Sequence, residues 1–179
     1  MAASKHFWTQ VASKIHKGNK VAEIYNGERA DILLGLAEIV GNTGRVYGVD
    51  RHNPFAMFPQ MKKLYQIPQI RLVRAEIPPL PYDLRELDAI VVREFIWSYD
   101  FSSNKGLVSE KPELYKSMAN AIKEGGHLIL HLNPTESKIE SSRNPSYQKT
   151  IEKNFLGFTR TYFLLDCLVY KKGQPADGR

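Results

Sequence analysis

The chain has 179 residues, 42% of them hydrophobic and 25% charged, with a formal net charge of +6 and a pI near 9.3. That make-up belongs to one ordinary globular domain and excludes a low-complexity chain; no apolar run approaches the ~20 residues of a membrane span. A single cysteine, Cys167, excludes an internal disulfide and a multi-cysteine metal site. The positive charge suits an acidic partner such as RNA or, the commoner case, a solvated lysine surface; it is dispersed, with no block of five or more like charges. The N-terminus has no signal-peptide pattern, so the expected compartment is the cytoplasm.

Residues 4–16 read as a short amphipathic helix, with Phe7, Val11 and Ile15 four apart and Trp8 widening the apolar face. Residues 17–20 turn the chain into a first strand at 21–25, which carries Glu23. From 28 to 40 the residues Ile32, Leu33, Leu36, Ala37 and Val40 fall at helical spacing, and Gly41 supplies the left-handed residue that ends such a helix. Residues 45–49 form a second strand closed by Asp50. The stretch 19–50 is thus a βαβ unit of about minimal length. Two parallel strands joined by a helix bring both strand tips and the helix N-terminus to one edge, where open α/β sheets bind ligands.

The chain continues in the same idiom. Asn53 and Pro54 suit a helix start, and the apolar residues Phe55, Phe58, Met61, Leu64 and Tyr65 follow. A third strand occupies 70–74, and the proline-rich 77–82 is neither helix nor central strand but a fixed edge loop. A fourth strand at 87–92 is apolar almost throughout, as a buried parallel strand should be. Arg93 and Glu94 open a polar and aromatic loop containing Trp97, Tyr99 and Phe101. A helix follows at 111–123 and stops at Gly125-Gly126; strand five runs 127–132. After a polar loop, Pro145 starts a helix bearing Tyr147, Ile151 and Phe155. Strands at 159–164 and 167–170 are close enough to form an antiparallel hairpin, with Cys167 as a buried strand thiol, and 173–179 reads as a disordered tail. With no internal repeat, residues 1–172 are expected to be a single domain. Right-handed crossovers make the economical assembly an α/β fold, a doubly wound, mostly parallel seven-stranded sheet with a C-terminal antiparallel hairpin.

An acid-bearing strand, a glycine turn, a helix and the segment Gly44-Arg45-Val46-Tyr47-Gly48-Val49-Asp50 resemble the start of class I S-adenosylmethionine (SAM) dependent methyltransferases. From Leu36 to Asp50 the chain is similar to fibrillarin-type RNA methyltransferases and protein isoaspartyl methyltransferases. Lys123-Glu124-Gly125-Gly126 resembles the family's turn into strand five, where K-P-G-G is usual. The resemblance covers nearly the whole chain in element order. It departs at the first turn: the family shows acid-x-Gly-x-Gly-x-Gly, and here the run is Glu23-Ile24-Tyr25-Asn26-Gly27-Glu28-Arg29. Only the middle glycine remains, and side chains at Tyr25 and Arg29 crowd the approach to the methionine part of the cofactor.

The resemblance implies SAM as cofactor, with binders at strand tips. Glu23 stands where the family supports the cofactor's amino-acid end; alternatively it caps the following turn. Gly27 takes the close-approach position or merely makes a tight turn. Asp50 can accept two hydrogen bonds from a ribose diol. Glu76 is placed for the adenine amino group and Ile77 for its ring, against a reading as plain loop polarity. Arg93, Glu94 and Trp97 follow strand four, where the family holds its acceptor; the plainer readings are an ion pair and a hydrophobic lid. His127 and His131 share a strand face but lie roughly 13 Å apart, too far to bind one metal by themselves. His131 is either an acid/base group or a satisfied core histidine.

No catalytic residue is assigned: the Asn/Asp-Pro-Pro-aromatic signature is absent, and Asp88 and Lys123 are out of register for a Lys-Asp-Lys-Glu set. The leading expectation is a SAM-dependent methyltransferase acting on a small molecule or RNA. The second is a member of the same fold that has lost SAM binding and serves as a binding or scaffolding subunit. A nicotinamide oxidoreductase shares the acid after strand two but needs a G-x-G-x-x-G turn that this chain lacks.

Overall fold

The computed structural model describes residues 3–24, 30–50, 64–75, 80–81, 83–93, 112–132, 155–164 and 167–173. Seven strands form one sheet in the order β3-β2-β1-β4-β5-β7-β6. They are β1 (Lys20–Ile24), β2 (Arg45–Asp50), β3 (Ile70–Arg74), β4 (Leu87–Arg93), β5 (Ile122–His131), β6 (Phe158–Leu164) and β7 (Cys167–Lys172). The first five run parallel; β7 is antiparallel to both β5 and β6. This is the doubly wound sheet with a terminal hairpin that the sequence predicts.

Alternation along the strands feeds two cores. Ala22, Ile24, Ile90, Val92, Leu128 and Leu130 face helix α3 (Pro112–Ala121), which contributes Leu114, Tyr115 and Met118. Val21, Val46, Ala89, Val91 and Ile129 face the other way, onto helices α1 (Lys5–Lys14) and α2 (Asp31–Val40). Full burial of each large apolar side chain contributes ~1.5–3 kcal/mol, which is why both faces of β1 and β4 are apolar.

Helix α1 begins at Ser4, whose hydroxyl accepts from the Phe7 amide at 3.0 Å and satisfies one of the free donors of the first turn. Its stripe of Phe7 and Val11, continued by Ile15 just past the helix, is buried as the spacing predicts. Phe7 meets the ring of His131 edge-on with centroids 4.8 Å apart, and His6 Nε2 contacts the Tyr162 hydroxyl, so α1 lies over the C-terminal strands. Helix α2 buries all five predicted stripe residues. Gly41 closes it with φ 62° and ψ −170°, a region essentially reserved to glycine, rather than in the ordinary left-handed well.

The last predicted helix and strand need correction. Helix α3 stops at Ala121 instead of reaching Lys123, and β5 starts at Ile122 instead of His127. Ile122 pairs with Leu87 and His127 with Ala89, so β5 advances five residues while β4 advances two. The excess forms a bulge, and Gly125 permits it with φ 75°. The glycine pair therefore kinks a strand; it does not end a helix. Lys172 caps α3 instead, donating to the Ala119 and Ile122 carbonyls at 3.1 and 2.7 Å.

The helices expected from Asn53 and Pro145 lie outside the described residues apart from their last members. Leu64 is buried in a short 3-10 turn at 64–66, Tyr65 points outward, and Phe155 packs between Tyr115 and Phe158. Most of the 77–82 loop, the first residues of the helix expected at 28–40 and the tail beyond Gly173 are likewise outside.

Two outcomes follow from the packing. A Cβ at Gly48 would sit 2.6 Å from Leu72 Cδ2 and 2.9 Å from Leu33 Cδ1. Gly48→Ala is expected to cost ~1–3 kcal/mol in urea denaturation. Burial raises the pKa of Tyr115 to about 12. The folded phenol keeps its proton where the unfolded one has lost it. Stability should therefore be intact below about pH 10 and fall by roughly 2–3 kcal/mol towards pH 12, and Tyr115→Phe should flatten that limb.

Candidate functional site

The carboxyl ends of β1 and β4 are adjacent, yet the chain leaves them in opposite directions across the sheet, to β2 and β3 on one side and to β5 on the other. Such a topological switch point opens a crevice at the strand tips. The register sets what lines it. Ile24, the last residue of β1, lies level with Val49 and Val92. Asp50 projects one residue further on β2, level with Arg74 of β3, and the Ala75 amide donates to the Asp50 carbonyl at 3.0 Å. That bond extends the β2–β3 pairing through the rim and fixes the Asp50 backbone there. Arg93 and His131 are paired residues at the tips of β4 and β5.

Two of the predicted acids come together. Glu23 is completely buried on β1, opposite Gly48 on one side and Val91 on the other. Asp50 is 6% exposed. Because residues two apart share a face, Glu23 and Asp50 lie on the same face of neighbouring strands, with α-carbons about 8 Å apart from strand rise and spacing. Buried acids are expensive unless they are hydrogen-bonded, so two of them on one face near the strand tips are unusual for an otherwise apolar sheet. Gly48 matters here as well: it is the small residue beside Glu23 on which Leu33 and Leu72 close.

Of the other predicted residues, Arg93 is described in its backbone and ends β4. Gly27, Glu76, Ile77, Glu94 and Trp97 lie outside the described residues, as do Tyr25 and Arg29. What the sequence reading did not foresee is Phe7. Its ring covers His131, so His131 is 4% exposed and belongs to the packing between α1 and β5. The amphipathic stripe of α1 was visible in the sequence, but its target was not. Among the described residues no three His, Cys, Asp or Glu side chains gather as a metal site, and no helix is long and apolar enough to cross a membrane. A separate cleft of about 510 Å³ lies between α3 and the segment preceding β4, lined by Leu80, Leu84, Arg85, Lys116 and Ser117 among others. It sits beside the amino end of β4, away from the two acids.

No family model matches the chain. Over 116 residues it is 27% identical to the demethylmenaquinone methyltransferase of Bacillus mycoides (strain KBAB4). The match takes in 64% of this chain and 45% of the relative, so the chain spans less than half the length of the curated relative it matches. Among solved structures it is similar to a SAM-dependent methyltransferase from Aquifex aeolicus, with a TM-score of 0.66 at 16% identity, covering 92% of this chain and 88% of that one. It is also similar to a SAM-dependent O-methyltransferase from Thermotoga maritima, with a TM-score of 0.65 at 13% identity, covering 99% and 69%.

Proposed function

We propose that this chain, whose fold is that of the class I SAM-dependent methyltransferases, binds SAM at the tips of β1 and β2 and methylates a small molecule or RNA held beside β4. The observation that carries this reading is Asp50, an almost fully buried acid at the end of β2, beside the switch point and on the same face as Glu23. A carboxylate there can accept both hydroxyls of a ribose, an arrangement that also orients the nucleoside along the crevice. Glu23 and the Gly27 amide would hold the amino-acid end. Glu76 and Ile77 would meet the adenine.

Bound SAM would supply a methyl group already activated by its sulfonium. The protein's share is then alignment and exclusion of water, together with removal of a proton where the acceptor is a hydroxyl or amine. Arg93, Glu94 and Trp97, which close and follow β4 in the chain, would meet the acceptor. The curated relative and the solved neighbours, methyltransferases by name, favour this reading. We place the protein in the cytoplasm, where a chain with a single cysteine forgoes no disulfide.

A second reading rests on Tyr25 and Arg29, which stand where two glycines usually admit the cofactor; the chain would then be a binding or scaffolding subunit. Calorimetric titration with SAM and with S-adenosylhomocysteine separates the two. We expect micromolar-range binding, weakened about tenfold or more by Asp50→Asn, which is about 1.4 kcal/mol, at an unchanged thermal midpoint. Absence of heat and of thermal stabilisation, in protein shown free of carried-over ligand, would select the scaffolding reading.

A further inference from the structure

The amino edge of the sheet, opposite the crevice, carries positive charge of two kinds. Lys20, Arg45, Lys123 and Lys172 are each committed within the fold. Lys20 Nζ and Arg45 Nη1 donate to the Arg85 and Pro68 carbonyls, both at 2.7 Å. Lys123 pairs with Asp88, and Lys172, already capping α3, lies 3.4 Å from Glu124. The side chains of Lys14, His16, His127 and Lys171 have no hydrogen-bond or ion-pair partner among the described residues.

These four converge. His127 and Lys171 are direct cross-strand partners on β5 and β7, which places their β-carbons about 5 Å apart. Helix α1 runs against β5 with Phe7 over His131, and its other end brings Lys14 and His16 towards His127. Burial, then the charges of Lys14, Lys171 and His16, lower the pKa of His127 below its ordinary 6.5; β4 presents only uncharged Ala89 at this register. Like charges set opposite one another are destabilising. The C-terminus of α1 offsets part of that cost for Lys14 and His16, but strands offer Lys171 and His127 no comparable dipole. His16 and Lys171 are exposed, and Lys14 and His127 are half-buried. Four cationic or protonatable groups spread over a helix end and two strands suit a row of phosphates better than one small anion.

We propose that Lys14, His16, His127 and Lys171 form a docking surface for the phosphate backbone of RNA, the polyanion a cytoplasmic protein meets in quantity. The surface lies roughly 13 Å along β5 from His131 and the carboxyl edge. It stands apart from the cofactor reading, since it requires no SAM and no turnover.

The test is fluorescence anisotropy of the full chain with a labelled oligouridylate near pH 7.5, between about 50 and 200 mM salt. At that pH Lys14 and Lys171 carry the charge, and two phosphate contacts predict a log–log salt slope of about −1.4. Lys14→Glu/Lys171→Glu should weaken binding at least about tenfold and remove most of that slope. Arg71→Glu/Lys116→Glu, an equal change of net charge at exposed positions on β3 and α3, should cost less than about threefold. Lys171→Glu alone, at an exposed position, should still weaken binding if the half-buried Lys14 proves intolerant. A protonated His127 adds a contact, and because burial and its cationic neighbours hold its pKa below 6.5, wild-type binding should tighten only as pH falls below that value, a gain His127→Gln should remove. No binding by wild-type protein at low salt would overturn the proposal. Equal losses from the two double variants would also overturn it, because net charge alone would then account for the affinity.

Discussion

Strand β1 is the constraint on which the rest of the structure depends. It is hydrogen-bonded to parallel strands on both edges, and its residues Val21 to Ile24 are buried on both faces. A first strand in that position obliges the chain to build outward on one side and then cross back to build on the other. The crevice at its tip is a consequence of that path. The lower end is locked too: the Lys20 amide donates to Asp88 at 2.7 Å, so the starts of β1 and β4 are tied across 68 positions of sequence. With the bottom fixed and the register set, Glu23 and Asp50 have no freedom over where they emerge.

The same parallel arrangement sorts charge by edge. At the carboxyl end the sheet buries two acids; at the amino end lysines and an arginine reach for backbone carbonyls and the few carboxylates nearby. Lys172 shows how structural such a cation can be, since it closes a helix and steadies the start of β5 together. Around His127 no acceptor among the described residues pairs with Lys14 or Lys171.

Much of this was legible beforehand because one period dominated each stretch. The stripe of α2 and the apolar run of β4 admit a single reading, and Asp50 stands out as an acid closing an apolar strand. Ile122 was ambiguous for a physical reason. It continues the helical spacing of Leu114, Met118 and Ala121 and equally begins a strand, and its pairing with Leu87 decides the matter, which lies 35 residues away. Gly125-Gly126 shared the ambiguity, since a positive φ serves a helix end and a strand bulge alike. The cluster at His127 was illegible because Lys14 and Lys171 meet it only through tertiary packing. The aspartate at the end of β2 was a local inference; the lysines were not.

The placement of α1 has a consequence for the order in which the molecule can assemble. Its partners are His131 on β5 and, 156 positions along the chain from His6, Tyr162 on β6. This helix precedes β1 in the chain and, apart from Trp8 against Gly35 of α2, reaches these partners only when β5 and the β6–β7 hairpin are in place. A ten-residue amphipathic segment is marginal as an isolated helix. Until those strands form, Phe7 and Val11 lack the sheet surface that buries them, and their docking closes a loop that spans most of the described chain. A helix that lies ahead of β1 in sequence thus completes its packing only with the C-terminal strands, and a partly folded chain carries an open apolar face that chaperones are suited to shield.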